Sequence, residues 1–294
     1  TTFVFNEEIS GFRINQDVKV GKFVYDLKNK NGSGNYVLKN LGSDFDIKTF
    51  TGNAKISSKN VITGTLNSRL LNARYTVNPK KQTVVINARS KGYVKVNYGG
   101  SSYVVSPDIE NLVVKFNEAN VLRSGRLRLK LKDLSVPFIK TIRTNIKIHN
   151  GNYKIIGTAG TKGGTIVNIA GTTTSDMKHS YTLSIPKTVD IAQELRANGY
   201  NFKGLNKAKL PATVTARISG KGSHFSGAYE LFSPYGEYIA EYEKLRVNGK
   251  INDLKNLDMT INTNMDELWF GYQRLKNVKG NLNIKDNVVN ISKI

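Results

Sequence analysis

The chain has 294 residues, and its 44 Lys and Arg against 22 Asp and Glu give a formal net charge of +22. The lack of cysteine excludes disulfide bonds, thiolate metal sites and cysteine nucleophiles. A hydrophobic fraction of 39% is too high for wholesale disorder, and the sequence has no run of about 18 apolar residues that would span a bilayer as a helix.

Alternation of apolar and polar side chains is the main pattern along the chain. It is clearest where Leu127, Leu129 and Leu131 alternate with arginines and lysines. This period of two predicts β-strands with one apolar and one solvated face, which is typical of antiparallel sheets. The residues predicted to form the apolar face are Val94, Val96, Leu127, Leu129, Leu131, Ile146, Ile148, Leu282 and Ile284.

Short turn motifs separate the predicted strands at close intervals. Adjacent Gly, Asn, Asp and Pro residues favour tight turns, so consecutive strands are predicted to pair as hairpins in a meander. The motifs are Asn31-Gly32-Ser33-Gly34, Asn78-Pro79, Gly99-Gly100, Asn150-Gly151, Gly163-Gly164, Asn248-Gly249 and Asp286-Asn287.

One segment is predicted to be helical. Ile191 and Leu195 follow a helical spacing, and Asn198-Gly199 supplies a C-terminal stop. We therefore expect one short helix near residues 188–198. A second candidate, Asp266 to Leu268, is expected to form a turn or a short helix.

No shift in composition and no block of charge marks a domain boundary. Residues 1–294 are therefore predicted to form a single elongated β segment, with its one candidate seam near 186–210. About 20 strands stacked roughly 4.8 Å apart would make a sheet that must roll, fold over or split into two layers. Because the sequence opens at Thr1 and stops at Ile294 within a predicted strand, we expect a piece of a longer protein.

The sequence holds no recognisable catalytic or metal-binding pattern. The three histidines, His149, His179 and His224, do not have the spacing of metal ligands. The glycine-rich stretch from Gly157 to Thr165 resembles a phosphate-binding loop but has Lys and Gly in the reverse of the required order. We therefore expect no enzymatic activity, no metal and no cofactor.

The high positive charge does not by itself predict a nucleic-acid site. Basic residues alternate along nearly every predicted strand instead of concentrating in one patch, so no nucleic-acid partner is expected. The aromatic residues concentrate in two stretches, Tyr229 to Tyr242 and Trp269 to Tyr272. Packing in a core corner or at a membrane interface is the favoured interpretation of both.

Two stretches resemble the hairpins of a known family. Leu134-Ser135-Val136-Pro137-Phe138 leads into an Asn- and Ile-rich hairpin over 142–155, and residues 275–291 read as a similar amphipathic hairpin. Both resemble the repeated hairpins of the AsmA-like family of bacterial envelope proteins, especially its TamB (translocation and assembly module) branch.

The resemblance implies a protein of the periplasm, anchored in the inner membrane through a segment absent from this chain. It implies an elongated antiparallel sheet curled into a U-shaped β-groove, or β-taco, whose apolar lining moves phospholipids between the inner and outer membranes. The implied partners are phospholipid acyl chains and an outer-membrane β-barrel assembly protein.

Two other functions fit the same sequence pattern. An exposed strand edge would make the chain an assembly scaffold for outer-membrane β-barrel proteins. A second layer over the apolar face would instead make it a secreted β-sandwich or adhesin module with a basic surface. Whether the apolar face is open or covered separates the groove from the sandwich.

Overall fold

The chain is all-β in the computed structural model, with 76% of its residues in strands and 3% in helix. The structure describes residues 2–9, 12–39, 46–98, 101–115, 121–132, 138–185, 187–201, 206–222, 224–238, 240–253, 258–285 and 288–293. Every strand pairing within these residues is antiparallel. The predicted fold class, an antiparallel all-β protein with one short helix, is confirmed.

The chain divides into two compact units. Unit 1 comprises Thr1–Ser135 with Thr141–Tyr153, and unit 2 comprises Val136–Lys140 with Lys154–Ile294. The predicted seam near 186–210 falls inside unit 2.

Unit 1 is a meander of antiparallel strands. Its strands are β1 (Thr2–Ile9), β2 (Phe12–Asp26), β3 (Asn31–Lys39), β4 (Thr49–Ile56), β5 (Ile62–Asn67), β6 (Leu71–Asn78), β7 (Thr83–Ser90), β8 (Val94–Tyr98), β9 (Ser101–Lys115), β10 (Val121–Lys132) and most of β11 (Ile139–His149). From β1 to β7 each strand pairs with the next one in the chain. The meander then continues from β9 through β10 to β11.

Strand β9 is long enough to pair with two strands along one edge. Its first residues pair with β8, and its later residues pair with β7. A bulge interrupts the β7–β9 pairing at Asn111, which has a φ of 47° and donates its backbone amide to Asn87 Oδ1 at 2.8 Å. Asparagine tolerates this left-handed conformation better than most residues. The extra residue places Ile109 and Leu112 on the same face despite their odd spacing.

Unit 2 is a second antiparallel run that carries the helix. Its elements are most of β12 (Asn152–Thr161), then β13 (Ile166–Thr173), β14 (Lys178–Ser184), β15 (Val189–Asp190), α1 (Ile191–Ala197), β16 (Pro211–Lys221), β17 (His224–Glu237), β18 (Glu241–Asp253), β19 (Asp258–Phe270), β20 (Gln273–Lys285) and β21 (Val288–Lys293). Pairing runs from β13 through β14 to β16, and then strand by strand to β21. The short strand β15 continues the line of β14 along β16.

Helix α1 has defined caps at both ends. The Asp190 carboxylate accepts a hydrogen bond from Ala192 N at 3.0 Å, which satisfies one free amide of the first turn. The helix ends at Ala197, Asn198 is its C-cap, and Gly199 follows with a φ of 85°. The helix predicted near 188–198 is therefore confirmed. No helix among the described residues combines the length and apolarity that crossing a membrane requires.

A buried carboxylate docks α1 against the turn between β12 and β13. Glu194 accepts hydrogen bonds from Thr161 Oγ1 at 2.7 Å and from the Thr165 hydroxyl. The backbone amides of Gly163 and Thr165 donate to the same carboxylate, each at 3.2 Å. The helix is thus fixed by four hydrogen bonds to one side chain.

Several turn predictions are confirmed and others are wrong. Turns are present at Asn78-Pro79, Asn150-Gly151 and Gly163-Gly164. The turns predicted at 31–34 and at Asn248-Gly249 are wrong, because these residues lie inside β3 and β18. Within β18, the Thr260 carbonyl on β19 and the hydroxyl of Tyr229 on β17 occupy the space that a side chain at Gly249 would need.

The turn between β2 and β3 lies four residues before its predicted position. It spans residues 27–30, and the Asp26 carboxylate accepts hydrogen bonds from Lys28 N at 2.9 Å and Asn29 N at 3.0 Å. The turn or short helix expected at Asp266 to Leu268 is also wrong, since that segment lies within β19. The Gly99-Gly100 and Asp286-Asn287 motifs lie outside the described residues.

Each unit has a small packed core. In unit 1, Ile47, Phe50 and Val94 are buried together, and Asp46 N donates to the Lys95 carbonyl at 3.1 Å, which holds this segment against β8. In unit 2, the core lies at α1 and consists of Ala192 and Ala208 with Leu195 and Leu210 packed on them. Most other apolar strand residues in the described part of the chain are only half-buried.

Candidate functional site

The seven residues predicted for the apolar face in unit 1 occupy matching cross-strand positions on β8, β10 and β11. Leu127 lies opposite Ile146 on β11. Leu131 lies opposite Val105 on β9, which in turn lies opposite Val94 on β8. The other pairs are Val96 with Tyr103, Leu129 with Pro107 and Thr144, and Ile148 with Gly125. These residues therefore share one sheet face, called the apolar face below, and its reverse is the polar face.

The exposure of the apolar face varies along its length. Val94 is 4% exposed and Ile148 is 3% exposed, and Val94 packs into the core cluster with Phe50. The half-buried members are Val96, Leu127, Leu129, Leu131 and Ile146. The apolar face is thus covered at Val94 on β8 and at Ile148 on β11, and it is partly accessible along β10.

The apolar face continues onto strands that the sequence pattern did not single out. The alternation of apolar and polar residues does not identify all of these strands. In β7, for example, the unbroken apolar run Val84-Val85-Ile86 hides the period of two. Two further rows of facing residues are Leu66–Ala73–Ala88–Ile109–Leu127 and Val77–Val84–Val114–Leu122. The first row joins β5 to β10, so the predicted residues belong to a broader surface.

The last two predicted residues lie on a corresponding face in unit 2. Leu282 on β20 lies opposite Ile261 on β19 and Ile291 on β21, and Ile284 lies opposite Met259. Both Leu282 and Ile284 are half-buried. Each unit therefore has its own apolar face.

Tyrosine rings form a floor on the apolar face of unit 1. Tyr36 on β3 lies opposite Gly52 on β4, and its ring occupies the position that a side chain at Gly52 would need. Tyr75 on β6 covers Gly64 on β5 in the same way. The Tyr36 hydroxyl donates to the Thr65 carbonyl at 3.1 Å and lies 3.0 Å from the Tyr75 hydroxyl. The two rings therefore bridge β4 and β5 and meet at their hydroxyl groups.

Unit 2 repeats this arrangement. Tyr229 on β17 lies opposite Gly249 on β18, and its hydroxyl donates to the Thr260 carbonyl on β19 at 3.1 Å. Two more pairs of the same kind are Tyr181 with Gly171 and Tyr242 with Gly236. The sequence alone does not show these pairs, because a glycine and the tyrosine that covers it are matched only by the strand register.

Burial keeps three of the tyrosines that cover glycines neutral. Burial raises the pKa of Tyr36, Tyr229 and Tyr242 above the ordinary value of 10.0, and for Tyr36 the hydrogen bond with Tyr75 raises it further. The hydroxyl groups are therefore protonated at neutral pH. A surface without charge at these positions suits contact with apolar groups.

The accessible surface of the chain is much larger than that of a compact protein. It is 18930 Å², whereas a compact monomer of 32.6 kDa exposes about 12,400 Å². Two separate compact domains of half that mass would together expose about 15,000 Å². The excess agrees with apolar faces that are only partly covered.

The described residues offer no group of three or more His, Asp or Glu side chains that could hold a metal ion. Among the histidines, His179 stacks on Tyr181 and Phe225 with ring centroids 6.1 and 5.1 Å away, and its Nε2 lies 3.0 Å from the Gly222 carbonyl. These contacts give His179 a packing role. The interaction that the apolar face offers a ligand is hydrophobic contact.

The half-buried apolar face, with its tyrosine floor and solvated reverse side, is the feature of this fold that best suits a ligand. Comparison of the chain with protein-family models, with curated proteins and with solved structures finds no match.

Proposed function

We propose that the chain binds phospholipid acyl chains along its apolar face and conducts them between the inner and outer membranes as a segment of an AsmA-like periplasmic protein. The main support is the set of continuous apolar rows in unit 1, whose central residues Leu127, Leu129 and Leu131 are half-buried and not sealed. The resemblance of two hairpins to AsmA-like proteins suggests the membranes that such a carrier serves. Its anchor in the inner membrane would lie in a segment outside this chain.

Hydrophobic contact supplies enough free energy for this function. Each methylene that leaves water gains about 0.8 kcal/mol. Ten buried methylenes therefore gain roughly 8 kcal/mol, which corresponds to micromolar binding before the cost of immobilising the ligand. An acyl chain that lies across several strands of the apolar face would bury about ten methylenes.

The polar face supports the same function because it keeps the opposite side of the sheet in water. Arg126, Arg128 and Lys130 on β10 alternate with the three leucines and are exposed. A lipid headgroup beside the apolar face would likewise stay in solvent, so no buried charge is required. A sealed β-sandwich, in contrast, would bury Leu127, Leu129 and Leu131 completely.

The test is to place a charge on the apolar face and measure bound lipid. In Leu129→Asp a carboxylate lies in the acyl-chain path, and burying it without a partner is costly. We expect the phospholipid that copurifies with the chain, measured by native mass spectrometry, to fall by about tenfold, a change of about 1.4 kcal/mol. Crosslinking of a fluorescent phospholipid analogue should fall in parallel.

The matched control is Asn145→Asp, which changes the charge equally on the polar face. Asn145 lies opposite Arg128 on the neighbouring strand β11 and is exposed. Lipid binding by this variant should stay within about twofold of the parent chain, which is under about 0.5 kcal/mol. Circular dichroism shows whether both variants are folded. A parent chain that carries no lipid, or equal lipid in both folded variants, would contradict the proposal.

A further inference from the structure

A concave surface lies on the polar face of unit 1, behind the apolar rows. It is a cleft of about 710 Å³ that spans β5, β6, β7, β9 and β10. Its charged side chains are Arg74, Arg89, Arg126, Arg128, Asp108 and Glu110. Four arginines against two carboxylates give this arginine cleft a net charge of +2.

The register brings the arginines together in two pairs. Arg74 on β6 lies opposite Asn87 on β7, so Arg89 is its diagonal neighbour, at about 7 to 8 Å between backbone positions. Arg126 and Arg128 follow each other on the same side of β10. The two pairs lie on either side of β9, which carries both acidic residues.

The two acidic residues do not neutralise the cleft evenly. Glu110 lies 3.9 Å from Arg126 and 3.5 Å from Arg128, so it compensates the pair on β10. Asp108 lies opposite Arg89 on β7 and Arg128 on β10, but in the part of the chain that the structure describes it forms no ion pair with either arginine. Its carboxylate accepts hydrogen bonds from Ser90 N at 3.1 Å and Ser90 Oγ at 3.3 Å. Within the described residues, Arg74 and Arg89 form no ion pair and are exposed to solvent.

Amide groups add neutral donors beside these two arginines. Asn87 lies opposite Arg74 and two residues before Arg89 on β7. Its Oδ1 accepts from the Asn111 amide, so its side-chain NH2 group remains available as a donor at the cleft that Asn87 lines. Asn67 and Asn72 also line the cleft and lie opposite each other on β5 and β6. Guanidinium groups together with amide donors are the usual ligands of phosphate oxygens.

We propose that the arginine cleft binds a phosphate group, held by Arg74 and Arg89 with the Asn87 amide as a further donor. The site lies on the face opposite to the acyl-chain surface, so a lipid bound to the apolar face does not supply this phosphate. The ligand is a separate phosphate-bearing molecule, either a free phosphorylated compound or a headgroup presented by another lipid surface.

The test compares two charge-matched double variants of the full chain. Arg74→Gln with Arg89→Gln removes the proposed ligands, whereas Arg217→Gln with Lys250→Gln removes two positive charges from exposed positions on β16 and β18. Binding of inorganic pyrophosphate is measured by titration calorimetry at about 0.15 M salt, where distant charges are screened. We expect saturable binding that weakens at least about tenfold in the first variant and less than about twofold in the second.

A second arm identifies the source of the phosphate. Vesicles of phosphatidylcholine with and without phosphatidic acid are sedimented with the same chains. Pyrophosphate binding that depends on Arg74 and Arg89 would support a free phosphorylated ligand. If only the binding to phosphatidic acid vesicles depends on these two arginines, the ligand is a lipid headgroup. Equal weakening in both double variants, or no saturable binding in either arm, would overturn the proposal. The lipid test at Leu129 is unaffected by either result.

Discussion

At the scale of single residues, the glycines inside strands have a packing role. A glycine weakens a strand unless something else uses the space that it leaves. At several strand glycines the ring of a tyrosine on the neighbouring strand fills that space, as Tyr36 does at Gly52 and Tyr75 does at Gly64. The aromatic ring restores the contact area that the missing side chain would have supplied.

We predict that Gly52→Ala destabilises the chain. A methyl group at Gly52 would overlap both the Tyr36 ring and the Thr65 carbonyl. The expected loss in the free energy of unfolding is about 2 kcal/mol, measured by urea denaturation. The control is Gly92→Ala, where the heavy atom nearest to the added methyl group is Leu70 Cδ2 at 3.5 Å. Its free energy of unfolding should lie within about 0.5 kcal/mol of that of the parent chain. Equal urea midpoints for the two variants would show that the position of the Tyr36 ring does not require a glycine at residue 52.

The same pairs explain what the sequence could and could not predict. Alternation around Leu129 was sufficient to predict the antiparallel strands and the face on which this leucine lies, because side-chain direction follows from strand geometry alone. The Asn248-Gly249 pair looks like a hairpin turn, yet Gly249 lies in a strand beneath Tyr229. That contact joins residues of different strands, so it depends on register, which local sequence does not reveal.

At the scale of elements, helix α1 is stabilised mainly by its docking. A seven-residue helix is too short to be stable alone, so its contacts must hold it. Burial by itself would raise the pKa of the Glu194 carboxyl. The hydrogen bonds from Thr165, Thr161 and Gly163 outweigh burial, and the pKa of Glu194 lies below its ordinary value of 4.5.

We predict that Glu194→Gln loosens α1 in a pH-dependent way. A carboxyl whose pKa is lowered by folding stabilises the folded state above its unfolded pKa of about 4.5, and this contribution is lost as the pH falls through the lower folded value. At neutral pH the free energy of unfolding of the variant should be lower than that of the parent chain by about 1 to 3 kcal/mol. This difference in stability should become smaller in acid.

Unfolding at neutral pH and at about pH 3 measures this difference. Hydrogen exchange should also become faster at the Gly163 and Thr165 amides, which donate to Glu194. The control is Glu230→Gln, which changes an exposed carboxylate on β17 and should leave both readouts unchanged. A stability gap that does not depend on pH would contradict this role of Glu194.

At the scale of the whole molecule, the large native surface predicts an unusual response to denaturant. An unfolded chain of this mass exposes about 47,000 Å². Unfolding from 18930 Å² therefore exposes about 28,000 Å², against about 35,000 Å² for a compact protein of equal mass. Because the urea m-value scales with the area exposed, we predict a value about a fifth smaller than for a compact chain of this length. An m-value typical of compact proteins would indicate that the apolar faces are covered in solution.

The tyrosine floor has one more consequence for how this protein can be studied. The rings of Tyr36 and Tyr75 are chromophores that belong to the chain itself, and they form part of the surface on which a ligand would rest. Filling that surface changes the polarity around the rings, and their near-ultraviolet absorption and circular dichroism respond to such a change. The tyrosine signal would therefore report ligand binding to this surface directly, without an attached dye.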